Sequence, residues 1–89
     1  MKFGEYLDVL KLELQIIRYP GQGGRYCARI ENAERVEGCL LFGEHGIGST
    51  PKEAINDYLN QIRGRRICVG AFTENRREYD VPQSIEDET

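Results

Sequence analysis

The sequence predicts a small α+β domain in which one mixed or antiparallel sheet, in the order β-β-β-α-β, is covered by a single amphipathic helix. Three observations carry that prediction. Leu10, Leu12, Leu14 and Ile16 alternate with Lys11, Glu13 and Gln15, the period of a half-buried strand. Ala54, Ile55, Tyr58, Leu59 and Ile62 recur at helical spacing. Short apolar runs bounded by glycine stand before and after that helical segment. At 89 residues with 39% hydrophobic content, the chain suffices for one core, assigned to residues 1–85, with an acidic tail at 86–89 expected to be disordered.

In chain order, residues 3–8 predict a short turn of helix with Phe3, Tyr6 and Leu7 on one side. A strand begins at Leu10. Residues 19–24 then supply a turn, and residues 25–30 alternate with Tyr26, Ala28 and Ile30 on one face, which makes a hairpin. Residues 31–37 read as a polar connection. Residues 38–42 are a short apolar run expected to form a central strand, feeding a glycine-rich turn at Gly43, Gly46 and Gly48.

The start of the helix is specified three times over: Thr50 as N-cap, Pro51 as the first helical residue and Glu53 as the capping-box partner. Gly64 stands where a helix commonly closes in a left-handed conformation. Residues 67–72 predict a fourth strand, and residues 79–82 an extended piece along a sheet edge or a neighbouring subunit.

Composition narrows the function. A net charge of −3 argues against binding to duplex nucleic acid, which calls for a basic field. No apolar run approaches the roughly 18 residues that cross a bilayer. Cys27, Cys39 and Cys68 are too widely spaced for a zinc motif, and an odd cysteine count without a signal segment fits a reducing cytoplasm. His45 is the single histidine and has no evident partner, and no nucleophile elbow surrounds Ser49 and Thr50. The expectation is therefore a binding protein with no catalytic residue, no metal ligand and no cofactor.

Anion binding is the chemistry the sequence suggests most directly. Backbone N–H groups at Gly46, Gly48, Ser49 and Thr50 would face a ligand at the positive end of the helix dipole. Arg65, Arg66, Arg76 and Arg77 would supply forked cationic contacts, and Tyr26, with Phe72 and Tyr79, stacking faces. Phosphate contacts, charge and stacking are what a nucleotide requires. So short a chain encloses such a ligand most readily where subunits of a dimer or tetramer meet.

The string Gly24-Arg25-Tyr26-Cys27-Ala28-Arg29-Ile30, the pair Gly38-Cys39, the run Gly48-Ser49-Thr50-Pro51-Lys52-Glu53-Ala54 and the segment Asp80-Val81-Pro82-Gln83-Ser84 together resemble the HicB-like fold, in a short form without the DNA-binding C-terminal segment. The resemblance implies an antitoxin or protein-binding inhibitor whose ribonuclease chemistry resides in a toxin partner, so no catalytic residue carries over. In size and economy the chain is also similar to phage-encoded sponges for cyclic oligonucleotide signals. That likeness implies sequestration of an anionic nucleotide in the host cytoplasm.

Overall fold

The computed structural model describes residues 1–19 and 25–87, so the turn expected at residues 20–24 and the last two residues of the tail lie outside the described residues. Helix α1 spans Phe3–Leu10 and buries Phe3, Tyr6 and Leu7. Its spacing explains a correction. Phe3, Tyr6, Leu7 and Leu10 stand at i, i+3, i+4 and i+7, so Leu10 is taken into the helix and the strand expected from Leu10 begins only at Leu14. Lys11, left-handed at φ 57, ends the helix.

Strand β1 (Leu14–Tyr19) pairs antiparallel with β2 (Arg25–Ile30), in a register running from Leu14 opposite Ile30 to Tyr19 opposite Arg25. The other side of β2 is taken by Gly46–Gly48, which is β5 in chain order: Ala28 lies opposite Gly46, and Tyr26 opposite Gly48. The glycine-rich turn thus contains a strand. Between them in sequence, Ala33–Glu37 forms β3 and Leu40–Phe42 forms β4, the two joined across a left-handed Gly38.

The chain therefore has a second sheet in place of the single one expected. Its order is β4-β3-β6-β7, all antiparallel, with β6 at Arg66–Val69 and β7 at Arg77–Asp80. Two further corrections follow. The polar stretch at 31–37 is an inner strand, and the apolar run at 38–42 is an edge strand on which Leu40 and Phe42 stay exposed. Strand β6 stops at Val69 because Gly70, at φ 67, turns the chain, so Phe72 lies outside the sheet.

Helix α2 (Pro51–Ile62) packs on β2 and β5 and buries Ala54, Tyr58, Leu59 and Ile62. Thr50 caps it, its Oγ1 accepting from the Glu53 N–H at 3.1 Å. After the helix, Gly64 is left-handed at φ 72 and its N–H donates to the Val81 carbonyl, while the Val81 N–H donates to the Arg65 carbonyl. One apolar core joins both sheets and both helices, from Phe3 through Ile30, Tyr58 and Ile67 to Val81 and Ile85. Glu86, expected in a disordered tail, instead pairs with the N-terminus: its carbonyl accepts from the Phe3 N–H at 2.7 Å and its N–H donates to the Met1 carbonyl at 3.0 Å. Among the described residues no helix is long and apolar enough to cross a membrane.

Candidate anion site

Around the start of α2 the chain engages several of its own donors. The Ile47 N–H donates to Asp57 Oδ2 at 2.9 Å, the Ser49 N–H to Glu53 Oε2 at 2.8 Å, and the Glu53 N–H to Thr50 Oγ1 at 3.1 Å. The two carboxylates at this place carry the same sign of charge as the ligand expected there and oppose its approach to the helix start. Gly46 and Gly48 have a different function as well. A Cβ on Gly46 would collide with the Ala54 carbonyl and the Tyr58 N–H, and one on Gly48 would stand 2.6 Å from the Ala54 nitrogen. Their lack of a side chain lets β5 lie against α2, which is the close backbone approach the sequence assigned to a ligand.

The arginines expected at the same place are elsewhere. Arg65 and Arg66 follow the far end of α2, about 18 Å along its axis from Thr50. Arg66 pairs with Asp80 at 3.1 Å and with Glu78 at 3.8 Å, and Arg76 pairs with Glu78 at 3.5 Å. Tyr26 does sit beside Gly48 on the neighbouring strand, half-buried. The structure thus groups Tyr26, Gly46, Gly48, Ser49 and Thr50 and separates them, within one chain, from the C-terminal end of α2. His45 is exposed, with only its carbonyl engaged, by Gln61 Nε2 at 2.9 Å. Among the described residues no group of three or more His, Cys, Asp or Glu side chains is placed to hold a metal ion.

A different place collects unpaired charge. A cleft of about 340 Å³ opens where the end of β2 meets β3, β6 and β7. Arg29 of β2, Glu34 of β3 and Arg77 of β7 line it, with Asn32 and Asn75 in the adjoining turns; the register sets Glu34 opposite Cys68 and Arg77 opposite Val69, so these two side chains leave the sheet on opposite faces. The turn after β6 is fixed by its own bonds. Thr73 donates to the Gly70 carbonyl through both its N–H at 3.0 Å and its Oγ1 at 2.9 Å, and the Asn75 N–H donates to Thr73 Oγ1 at 3.2 Å. The Gly70 N–H donates to the carbonyl of Asn32, itself left-handed at φ 59, which ties this turn to the β2–β3 connection. Phe72 projects from it with 88% of its surface exposed.

Neither Arg29 nor Arg77 has an ion-pair partner among the described residues, and Glu34 has no side-chain partner there either. The Nε of Arg29 is buried without a hydrogen-bond acceptor. Such a group is costly unless something occupies it, which sets this arginine apart from Arg35. Arg35 is fully engaged by Glu37 at 2.7 Å and Glu44 at 3.0 Å and lies 4.6 Å over the Phe42 ring; its guanidinium holds the Glu37 carboxyl below the usual carboxylate range.

Arg77 and Phe72, expected beside the helix start, line this cleft, whose lining includes none of Tyr26, Gly46, Gly48, Ser49 or Thr50; Arg29, Asn32, Glu34 and Asn75 are not among the ligand contacts expected from the sequence. A usable signal existed at Arg29. It is a long cation near the end of a strand, directly between the buried Ala28 and Ile30.

Fold and cleft together define a two-sheet α+β domain bearing a mixed-charge surface cleft. No protein-family model, curated protein or solved structure matches the chain.

Proposed function

We propose that this is a non-enzymatic protein that binds and sequesters an anionic, nucleotide-type ligand, with the cleft of Arg29 and Arg77 as its seat. One observation carries the reading: two arginines without ion-pair partners among the described residues line the same cleft as an almost fully exposed aromatic ring. Guanidinium forks suit phosphate oxygens, and a free ring face suits a base. The volume lies within the range of small-molecule sites. The cleft is open on one side, so closing it over a cyclic oligonucleotide calls for a second copy, as in a dimer or tetramer, and capture of such a signal belongs to the cytoplasm, the host cytoplasm if the chain is phage-encoded. Native mass spectrometry of the untagged protein with a panel of cyclic di- and trinucleotides tests this. A retained nucleotide mass on an oligomer supports sequestration, and a ligand-free species across the panel contradicts it.

The second reading is a HicB-like antitoxin or protein-binding inhibitor. It is favoured by β1, an edge strand with Ile16, Ile17 and Tyr19 exposed, which offers unpaired backbone groups and apolar side chains to a strand from a partner. Co-purification of one stoichiometric partner that is lost on Ile16→Glu supports that reading.

A further inference from the structure

The outer strands of the two sheets differ in how they meet solvent. Strand β4 is three residues long, β5 is Gly-Ile-Gly, and β7 carries Arg77, Glu78 and Asp80 in its four residues. Shortness and charge are what keep a foreign strand off a sheet edge. Strand β1 has neither protection. It runs for six residues with Arg18 as its one charge, exposes Ile16, Ile17 and Tyr19, and has no strand among the described residues on the side away from β2.

The direction of its backbone groups follows from one bond. The Glu31 N–H donates to the Glu13 carbonyl at 2.8 Å, and the register then runs unbroken from Leu14 opposite Ile30 to Tyr19 opposite Arg25, so hydrogen-bonded pairs alternate from Glu13 onward. Gln15, Ile17 and Tyr19 therefore bond to β2. The N–H and C=O of Leu14, Ile16 and Arg18 point outward along the edge.

We infer that β1 pairs with β1 of a second copy of this chain, antiparallel about a two-fold axis through Ile16, which joins the two three-stranded sheets into one. An axis perpendicular to the sheet continues each face into the same face, so only residues an even number of positions apart, or a residue and its own copy, stand opposite one another. With Ile16 opposite itself, Leu14 faces Arg18 of the second copy. Each of these pairs exchanges two backbone bonds, and every outward group of the strand is used. Moving the axis to Gln15 leaves Arg18 without a partner inside the strand, and moving it to Ile17 leaves Leu14 without one.

Charge favours a second copy in this orientation. Glu13 and Glu31 lie at one end of the ladder between β1 and β2, Arg18 and Arg25 at the other. Inversion about the axis lays the acidic end of one copy beside the basic end of the next, where a parallel copy would set like against like. The exposed apolar residues are covered as well. Ile16, on the face of Ala28 and Gly46 against which α2 packs, meets its own copy. On the opposite face Ile17, Cys27 and Ile47 form a row across the three strands, and the stem of the second copy's Gln15 extends it. The pairing is independent of what the cleft of Arg29 and Arg77 holds.

Sedimentation equilibrium of the wild type and of Ile16→Pro, each over a dilution series without nucleotide, tests the pairing. Proline at position 16 removes an outward N–H and none that bonds to β2, a substitution that edge strands tolerate, and circular dichroism checks that the fold is retained. The wild type is expected to form a two-chain species. Ile16→Pro should weaken that association about tenfold or more, because the central pair loses a bond from each copy. Hydrogen exchange in the wild type gives a second readout that needs no substitution: in the two-chain species the Ile16 and Arg18 amides exchange as slowly as those of Gln15 and Ile17, and on dilution they alone lose protection. A wild type that stays a single chain at every concentration overturns the pairing and leaves the edge to a strand of another protein. A two-chain species that Ile16→Pro does not weaken, or in which the Ile16 and Arg18 amides exchange freely, joins through another surface and overturns it too.

Discussion

The backbone of Gly46 lies directly against the Ala54 carbonyl, with no room between strand β5 and helix α2 for even a methyl group. This contact converts the glycines near the helix start from a ligand cradle into a packing device, because backbone atoms on both sides cannot give way as a flexible side chain would. Gly43, three residues before that strand begins, meets nothing within 4 Å of the same hypothetical methyl.

Gly46→Ala is therefore expected to destabilise the protein by roughly 1–3 kcal/mol or more through overpacking. Gly43→Ala should be close to neutral. Urea unfolding of the two variants checks the contrast, and equal midpoints would remove the packing argument.

The cap at Thr50 is one hydrogen bond on an exposed helix terminus. Thr50→Ala should cost about 1 kcal/mol, read as a lowered denaturation midpoint with an unchanged slope. Thr50→Ser, which keeps the hydroxyl, should recover most of the loss.

Arg65 and Arg66 are two of the four arginines from which the sequence leads one to expect cationic contacts to the ligand. In the structure Arg66 already pairs with Asp80 and Glu78 at the far end of α2 from Thr50. The double substitution Arg65→Ala with Arg66→Ala is expected to leave nucleotide affinity within about threefold of the wild type, since exposed pairs of this kind contribute little. A loss as large as that from removing Arg29 and Arg77 would place the site at the helix C-terminus instead.

Alkaline pH gives a separate check on the packing of α1. Burial, reinforced by the negative charge of Asp80, pushes the Tyr6 phenol up from 10.0 to about 12, and its hydroxyl donates to the Asp80 carbonyl at 3.1 Å. The folded state thus holds the Tyr6 proton more tightly than the unfolded chain. The stability linked to it is fully present below about pH 10 and is lost as pH rises towards about 12. Tyr6→Phe should flatten the dependence of unfolding free energy on pH across that window. It does not abolish the slope, because burial also raises the Tyr58 phenol. Parallel curves for the two proteins would contradict the assignment.

The parts of the fold that declare themselves in the sequence are those whose signals are local. Strand β2 has its alternation, and α2 has Thr50, Pro51 and Glu53 at one end and Gly64 at the other, so both lie within a residue or two of where they were expected. Strands β3 and β5 escape for opposite reasons. Glu34, Arg35 and Glu37 give β3 a polar face and a partly polar inner one, because Arg35 packs its guanidinium over Phe42 rather than facing water. Gly46 and Gly48 make β5 look like a turn, although they are there because a helix lies on them. The cleft was not legible at all as a place. Arg77 is brought to the start of β3 only by the pairing of Ala33 with Val69 and of Val69 with Arg77, and Arg29 reaches the same cleft from the other sheet, contacts that no local pattern encodes.

The central claim is that the cleft of Arg29 and Arg77 holds an anionic ligand. Isothermal titration of cyclic di-GMP into the wild-type protein and into the Arg29→Ala, Arg77→Ala double variant, with matched circular dichroism spectra, tests it most directly. Saturable binding by the wild type that weakens about a hundredfold or more in the variant is the expected result, given the usual contribution of two charge-assisted contacts. Binding of equal strength in both proteins would contradict the claim.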